Sequence, residues 1–560
     1  LKIKVSFFLI FIIFFTLFLS SSCRKEDDGS NYIFKFDIAY NPRTLDPQNA
    51  SGQTAAMLIA NMFDGLLKID SDGNIALNLA EKYTLSDDKL TYTFQLRDDV
   101  YWYFDGDSET ICTAHDFVYA FRRLFNPAVK SENAPLFYAI KNAEKIHTEN
   151  LTNLHDIGVY AADDFTLIIT LEQPDPHFPY LLTTPPAMPC NEEIFLKTAG
   201  RYGLNGENLP SNGAFYLTKW HYDPHRPQDS VITMRRNNKN NHVFDTNQDN
   251  ENAVPDRIYP LGLNFFISNG EPLENFRSNT TQALIATGNS DATSMLISQN
   301  FPCSGAETSV WGLVFETHGT FGNSDLRYAF AAAIERENIE FLPMKNGWRI
   351  AENLVPPVIT IDTDFNYREH ANDTFPPEFN RENAHAAYEK GAGMVSRENL
   401  TGLKIIMPEN QAASEYLGRV LQQWQAVLGF YCTVESLPPD SFERAVLSGN
   451  FDIAFVKLTG GYNSPDAYLS GFGNPGDLLS RSLPQNTVAE YQNLLKSARL
   501  SEDIVAAAEL YKQAENALLE QVYFMPICFQ TEMFFYSNRS RDLDFNPFTG
   551  VVFFRGGRYF

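Results

Sequence analysis

Apolar positions recur along this chain with two periods. Every second residue is apolar in 33–39, 90–96 and 165–171, a spacing that predicts half-buried strands. Residues 403–407 and 451–457 are further predicted strands, and 215–220 with 231–235 reads as a hairpin pair. Helical spacing runs through 55–67, which ends in Leu66-Leu67 before an Asp70-Ser71-Asp72-Gly73 turn. It also marks 113–124, where Thr113 is the expected N-cap and Phe117, Val118, Phe121 and Leu124 form the apolar stripe. Residues 324–335, 381–390, 412–428, 488–498 and 504–521 complete the predicted helices. Strands and helices mix from end to end, which argues an α/β protein.

The amino terminus follows a different rule. Lys2 and Lys4 precede an apolar run over 5–19 that only Ser6 and Thr16 interrupt, and Ser20-Ser21-Ser22 leads to Cys23. Fifteen residues are short for a membrane span but suit the h-region of a secretory signal. A small-residue stretch ending in Cys resembles the lipobox of bacterial lipoproteins, with Ser20 where that box usually has Leu. Residues 1–23 are therefore expected to be a signal peptide, Cys23 the lipidated residue, and 24–31 a polar tether.

Length and charge narrow the classes. The chain has 560 residues, more than one ordinary core accommodates, so two or three domains are expected. Its 44 Lys+Arg against 69 Asp+Glu give a formal net charge of -25, which repels nucleic acid and anionic lipid. The membrane contact expected is the lipid anchor alone. Five cysteines besides Cys23, at 112, 190, 303, 432 and 528, show neither CxxC nor zinc spacing. Free thiols, or one disulfide with the rest free, both fit that scatter.

Three motifs invite chemistry and lack its context. Gly471-Phe-Gly473-Asn-Pro-Gly476 has the letters of a dinucleotide fingerprint, but Pro475 removes an amide that would face phosphate. Asp245, Asn247, Asp249, Glu251 and Asp256 approach calcium-loop spacing, but Asn250 holds the place of the obligatory Gly. The segment 237–252 therefore reads as a solvated loop. His221 and His225 are four apart, yet Pro224 keeps them off one helix face, and a hairpin turn is expected. No HExxH, Walker loop or GxSxG is present, so no catalytic residue, cofactor or metal site is expected.

A series of segments in fixed order resembles the extracellular solute-binding proteins of oligopeptide- and dipeptide-type transporters (family 5). It opens with Asn41-Pro-Arg-Thr-Leu-Asp-Pro47, then Phe63-Asp-Gly-Leu-Leu67, Asp72-Gly73 and Leu79-Ala80-Glu81. Thr91-Tyr-Thr-Phe-Gln-Leu-Arg97, Asp105-Gly106 and Thr113-Ala-His-Asp-Phe-Val-Tyr119 follow. Ser211-Asn-Gly-Ala-Phe-Tyr216, Asp325-Leu-Arg-Tyr-Ala-Phe-Ala-Ala-Ala-Ile-Glu-Arg336 and Phe451-Asp-Ile-Ala454 extend the likeness over nearly the whole chain. Asp116, Gly73 and Gly106 make sense as scaffold, with Asp116 at the positive end of its helix.

The resemblance implies a two-lobed fold of the type II periplasmic-binding kind with an extra domain in the first lobe. Lobe one would comprise 32–62, 197–303 and 526–560, the extra domain 63–196, and lobe two 304–525. It implies the substrate-binding component of an ABC uptake transporter. Such a protein is not an enzyme: it is a monomer, anchored at the outer side of the cytoplasmic membrane, that captures an oligopeptide between its lobes and delivers it to permease subunits. Nickel, haem or sugar ligands, a surface or receptor role, and a lipoprotein hydrolase are the competing readings.

The expected ligand-binding residues are Ser51, Gly52 and Gln53 in the 50–54 loop, Phe137 and Tyr138, and Thr459, Gly460, Gly461, Tyr462 and Asn463. In peptide binders of this family an Asp four residues before a proline pairs with the peptide's α-amino group. The matching place here is Gly461, before Pro465, and the preceding Gly-Trp is replaced by Lys457-Leu458. Val446, Leu447 and Phe455 stand where some relatives carry basic groups for the carboxylate. A buried ammonium without a carboxylate partner is costly, so free-terminus dipeptides are disfavoured and longer peptides, held by backbone hydrogen bonds, are expected. Gly460 and Gly461 would either admit a ligand backbone closely or only shape a turn.

Overall fold

A first group of strands builds two small sheets. Strand β1 (Ile33–Ile38) precedes the helix Gln53–Met62 and the hairpin of β2 (Leu67–Ile69) with β3 (Ile75–Leu77). Strands β4 (Ala80–Leu85), β5 (Thr91–Leu96), β6 (Val159–Asp163) and β7 (Thr166–Thr170) form an antiparallel sheet in the order β4-β5-β7-β6. Strands β8 (Phe215–His221), β9 (Val231–Arg236) and β10 (Gly262–Ile267) join β1 in the order β1-β10-β9-β8. The β8–β9 hairpin is paired antiparallel as its sequence predicts. β1 and β5 bury alternate residues, so Phe34, Phe36, Tyr92 and Phe94 share one extended core with Trp102, Phe117, Phe121 and Phe265.

The second group is larger. It contains β11 (Ala283–Thr287), β12 (Cys303–Phe315), β13 (Trp348–Ile350), the short hairpin of β14 (Thr360–Asp362) with β15 (Phe365–Asn366), then β16 (Ile405–Pro408), β17 (Val434–Leu437), β18 (Ile453–Thr459) and β19 (Phe524–Tyr536). Seven of these form one sheet, ordered β11-β19-β12-β18-β16-β17 with β13 on β19. Consecutive residues of β18 alternate between two cores: Ile453 and Phe455 meet the Trp311, Phe330 and Trp424 cluster, while Ala454 and Val456 meet the Tyr491, Tyr511 and Phe524 cluster. Its first four residues, 453–456, are a continuous apolar run because both faces are covered there. Helices Ser324–Ala332, Arg381–Ala392 and Gln411–Leu428 cover one face, and Gln485–Leu500 and Ile504–Glu520 the other. The architecture is a two-lobed α/β fold.

This description comes from a computed structural model covering residues 29–30, 32–70, 73–104, 106, 109–240, 257–267, 271–288, 291–339, 348–362, 365–371, 376–409, 411–473, 479 and 482–560. The signal peptide, Cys23, most of the tether, the calcium-like acidic run and the latter half of Gly471–Gly476 lie outside the described residues. Among the described residues no helix is long and apolar enough to cross a membrane.

Local capping explains the element ends. Thr113 is the N-cap of helix Ala114–Phe125, as expected, and forms a capping box with Asp116. Asp116 is buried, accepts from Trp102 Nε1 at 3.0 Å and Asn191 Nδ2 at 2.9 Å, and is scaffold, as expected. Gly73 and Gly106 both have positive φ. The helix predicted over 55–67 is shorter than its pattern. It stops at Met62, where Phe63 turns to extended backbone and Asn212 holds the next residue, Asp64, accepting its N–H at 3.1 Å and donating to its carbonyl at 2.8 Å. Leu67 then begins β2. His221 ends β8 and His225 is exposed in the following turn. Cys112, Cys190, Cys303, Cys432 and Cys528 are all free thiols, the first two and Cys528 buried.

Candidate functional site

Two adjoining cavities separate the two groups of strands. The larger is about 850 Å³ and the smaller about 500 Å³. They share Ala56, Leu136, Thr184, Pro185, Gly461 and Thr549 as walls, so they form one continuous cleft.

The far side of the larger cavity is built by the loop after β18. That loop runs through Gly461, Tyr462 and Ser464 into the helix Asp466–Leu469. Asp466 is 2% exposed, and a buried carboxylate must be paired to stay ionised. It accepts from Arg499 Nε at 2.7 Å and from the Tyr462 hydroxyl at 3.0 Å, and His177 Nδ1 is 4.0 Å away. Burial alone raises this carboxyl, but Arg499, His177 and the Tyr462 hydroxyl more than offset it, so Asp466 ends below the ordinary carboxylate range. Burial pushes the Tyr462 hydroxyl well up, so it stays protonated and donates.

The near side comes from the segment between β7 and β8. Asp175 Oδ1 accepts the His177 N–H at 3.0 Å and starts the turn into the short helix Phe178–Leu181. That turn presents His177 and Tyr180 across the cleft. The Tyr180 and Tyr462 rings stack with centroids 4.3 Å apart and planes 17° apart. His177 Nε2 lies 3.3 Å from Ser464 Oγ. Aromatic stacking and a hydrogen bond thus join the two walls directly. Tyr138 also lines this cavity, with its hydroxyl 2.7 Å from His147 Nδ1. Burial raises the phenol and lowers the imidazole, so the phenol donates to a neutral ring.

The larger cavity is acidic. Asp64, Asp70, Glu144, Glu172, Asp175, Asp466, Asp542 and Asp544 line it, against Lys68, His177, Arg499 and Arg555. Asp64 is paired with Arg555 at 2.6 Å and Glu172 with Lys145 at 3.0 Å. Among the described residues no three His, Cys, Asp or Glu are grouped as a metal site.

The smaller cavity takes Ser51, Gly52 and Gln53 on one side and Thr459 and Gly461 on the other. Gln53 Nε2 donates to the Gly550 carbonyl at 3.1 Å, which fixes the loop against the 548–550 turn. Gly52 has φ +82 and lies so close to the Tyr40 hydroxyl that a Cβ would overlap it. Thr459 Oγ1 is 3.1 Å from Ser309 Oγ on β12.

Seven of the ten expected ligand residues therefore meet in the cleft: Ser51, Gly52, Gln53, Tyr138, Thr459, Gly461 and Tyr462. Three are used elsewhere. Phe137 is fully buried, edge-on to Phe121 at 5.7 Å, because its side of the turn faces the core and not the cleft. Gly460 is glycine because the Tyr468 ring packs on its α-carbon, so it shapes the turn and does not line the cleft. Asn463 Oδ1 accepts the Thr360 N–H at 2.9 Å and ties the loop to β14.

His177, Tyr180, Asp466 and Arg499 have no periodic signature in the sequence and are not among the expected site residues. Lys457 stands out in the sequence as a departure from the family pattern. A lone lysine in an otherwise apolar strand was a usable signal, and its side chain faces the smaller cavity.

Known proteins share this fold and sequence pattern. The oligopeptide-binding protein OppA of Bacillus subtilis is 26% identical over 542 residues, covering 96% of this chain and 94% of OppA. The dipeptide-binding protein of Lactococcus lactis subsp. cremoris is 26% identical over 546 residues, covering 93% and 92%. The structure of Listeria monocytogenes OppA bound to peptide superposes with a TM-score of 0.76 at 22% identity, covering 96% of this chain and 99% of that one. The family model described as bacterial extracellular solute-binding proteins, family 5 middle, matches residues 74–479. The chain belongs to the bacterial extracellular solute-binding proteins of family 5.

Proposed function

We propose that this protein captures oligopeptides in the cleft between its lobes and delivers them to the permease of an ABC importer. The observation that carries this is the size and continuity of the two cavities, about 850 Å³ and 500 Å³ with shared walls. Together they exceed the ~300–1,000 Å³ of a small-molecule pocket. A metal ion would leave most of that space unfilled. Relatives named for oligopeptide and dipeptide binding, and a superposable relative solved with peptide, support the same reading.

The lobes are drawn as 32–62, 197–303 and 526–560 for the first, 63–196 for its extra domain, and 304–525 for the second. The long strands β12 and β19 cross the boundaries at 303/304 and 525/526. Bending of that pair is the hinge. The ligand contacts both walls only when they close, and the Tyr180–Tyr462 stack and the His177–Ser464 contact form with closure. A shift from mostly open to mostly closed needs ~5.5 kcal/mol of differential binding.

The working protein is a monomer without catalytic activity, exported by residues 1–23 and held by a lipid on Cys23 at the outer side of the cytoplasmic membrane. Incubated peptides are therefore recovered intact. Calorimetric titration with peptides of two to ten residues, with X-ray scattering before and after, tests the proposal. Saturable binding with a fall in radius of gyration is expected. Absence of binding across the set, with nickel, haem or a sugar binding instead, contradicts it.

A further inference from the structure

The smaller cavity carries a charge pair that no peptide-capture reading requires. Lys457 lies on β18 and Glu532 on β19, with β12 between them: Trp311 of β12 is in register with Lys457, and Ala306 with Glu532. The Lys457 ammonium reaches across β12 and donates to Glu532 Oε1. Their side chains are 27% and 13% exposed, and both line the cavity. Among the described lining residues the only other charged group is Glu443, exposed at the rim.

A carboxylate this buried at a cleft wall is a seat for an ammonium, because leaving it unpaired is costly. Here the protein itself fills that seat. One lysine proton is committed to Glu532, and the remaining ammonium donors are available to an oxygen acceptor in the cavity. A second ammonium brought to the same place meets Lys457 with like charge and finds Glu532 already neutralised. Beside the pair, Gly461 offers no side chain, and its φ of +24 favours glycine.

We propose that Lys457, held by Glu532, is a built-in substitute for a ligand ammonium. It receives a carbonyl or carboxylate oxygen of the ligand, so this protein takes peptides whose amino end is blocked, or lies elsewhere, as readily as peptides with a free amine. This inference rests on the peptide-capture reading, and the test separates the two.

The experiment titrates matched peptide pairs, free-amine and N-acetylated, into the full mature chain by calorimetry. The melting temperature of each variant confirms that it is folded. The wild-type protein should bind both members within about twofold. Lys457→Met removes the substitute and exposes Glu532, so both affinities fall and free-amine peptides become preferred by about tenfold, one charge-pair's worth of discrimination. Glu532→Gln leaves Lys457 without its acid and should tilt preference the other way, toward acetylated peptides. The double variant should return to near indifference. A merely structural pair would lower stability without moving the ratio. An unchanged ratio in both single variants, or a wild-type protein already favouring free amines tenfold, overturns the inference while leaving peptide capture intact. Failure of every peptide to bind the wild-type protein overturns both.

Discussion

Replacing Asp466 with asparagine separates the electrostatics of the cleft wall from its shape. The substitution is isosteric but removes the charge that holds Arg499, whose side chain is only 20% exposed. Breaking a buried ion pair from one side typically costs 3–5 kcal/mol because the remaining charge is left uncompensated. The partial exposure of Arg499 places the expectation near the lower bound, ~3 kcal/mol, or about a 150-fold change in the folding equilibrium. The pH dependence gives an independent check. The folded-state Asp466 lies below its ordinary value, so its contribution is fully present above the unfolded carboxylate pKa of ~3.9 and is lost as pH falls through the folded value. The amide of the Asp466→Asn variant cannot titrate, so the gap between the two proteins should be widest near neutrality and close in acid. Urea unfolding of ligand-free wild-type and variant protein, repeated between about pH 3 and 7, measures it. A gap under about 1 kcal/mol at neutral pH refutes the pairing argument. A gap that persists unchanged at low pH refutes its assignment to the ionised carboxylate.

Two further outcomes follow from the same structure. Gly460→Ala should cost about 1–3 kcal/mol by driving a methyl into the Tyr468 ring, whose hydroxyl is tied to the Thr308 carbonyl at 2.7 Å; thermal unfolding checks this, and a neutral result would mean that the ring moves freely. Cys23→Ala should shift the protein from the membrane fraction to the soluble fraction of fractionated cells, because the anchor provides ~0.8 kcal/mol per buried CH₂; continued membrane retention would contradict lipidation there.

Elements with one buried face or a capping signature were legible in the sequence. β1, β5 and the helix Ala114–Phe125 fall where period and cap predict them, since each obeys a local rule. The strands that matter most to the architecture were not legible. β19 contains Pro526, and β12 opens on the exposed Cys303-Ser-Gly, with register shifts between Glu307 and Ser309 and between Trp311 and Gly312. Both are specified by their neighbours across the sheet, which no local window contains. Past the helix end at Met62, Asp64 is held by Asn212, far along the chain. The cleft divides the same way. Ser51, Gly52, Gln53, Thr459, Gly461 and Tyr462 sat in loops or at the element ends beside them, which a family resemblance could align, whereas His177, Tyr180, Asp466 and Arg499 work through pairings made only after folding.

What the exported protein retains in the cleft between its lobes tests most directly whether that cleft holds peptide. Native mass spectrometry of the exported protein, purified without denaturation, should show mass additions of several hundred daltons or more. On acidification these should be released as peptides that fragment into amino-acid ladders. Ala56→Trp, which places a large ring on the wall shared by both cavities, should abolish the additions while the protein remains folded. Additions that prove to be a metal, a haem or a sugar, or peptides that persist undiminished in the Ala56→Trp protein, would contradict capture of peptide in this cleft.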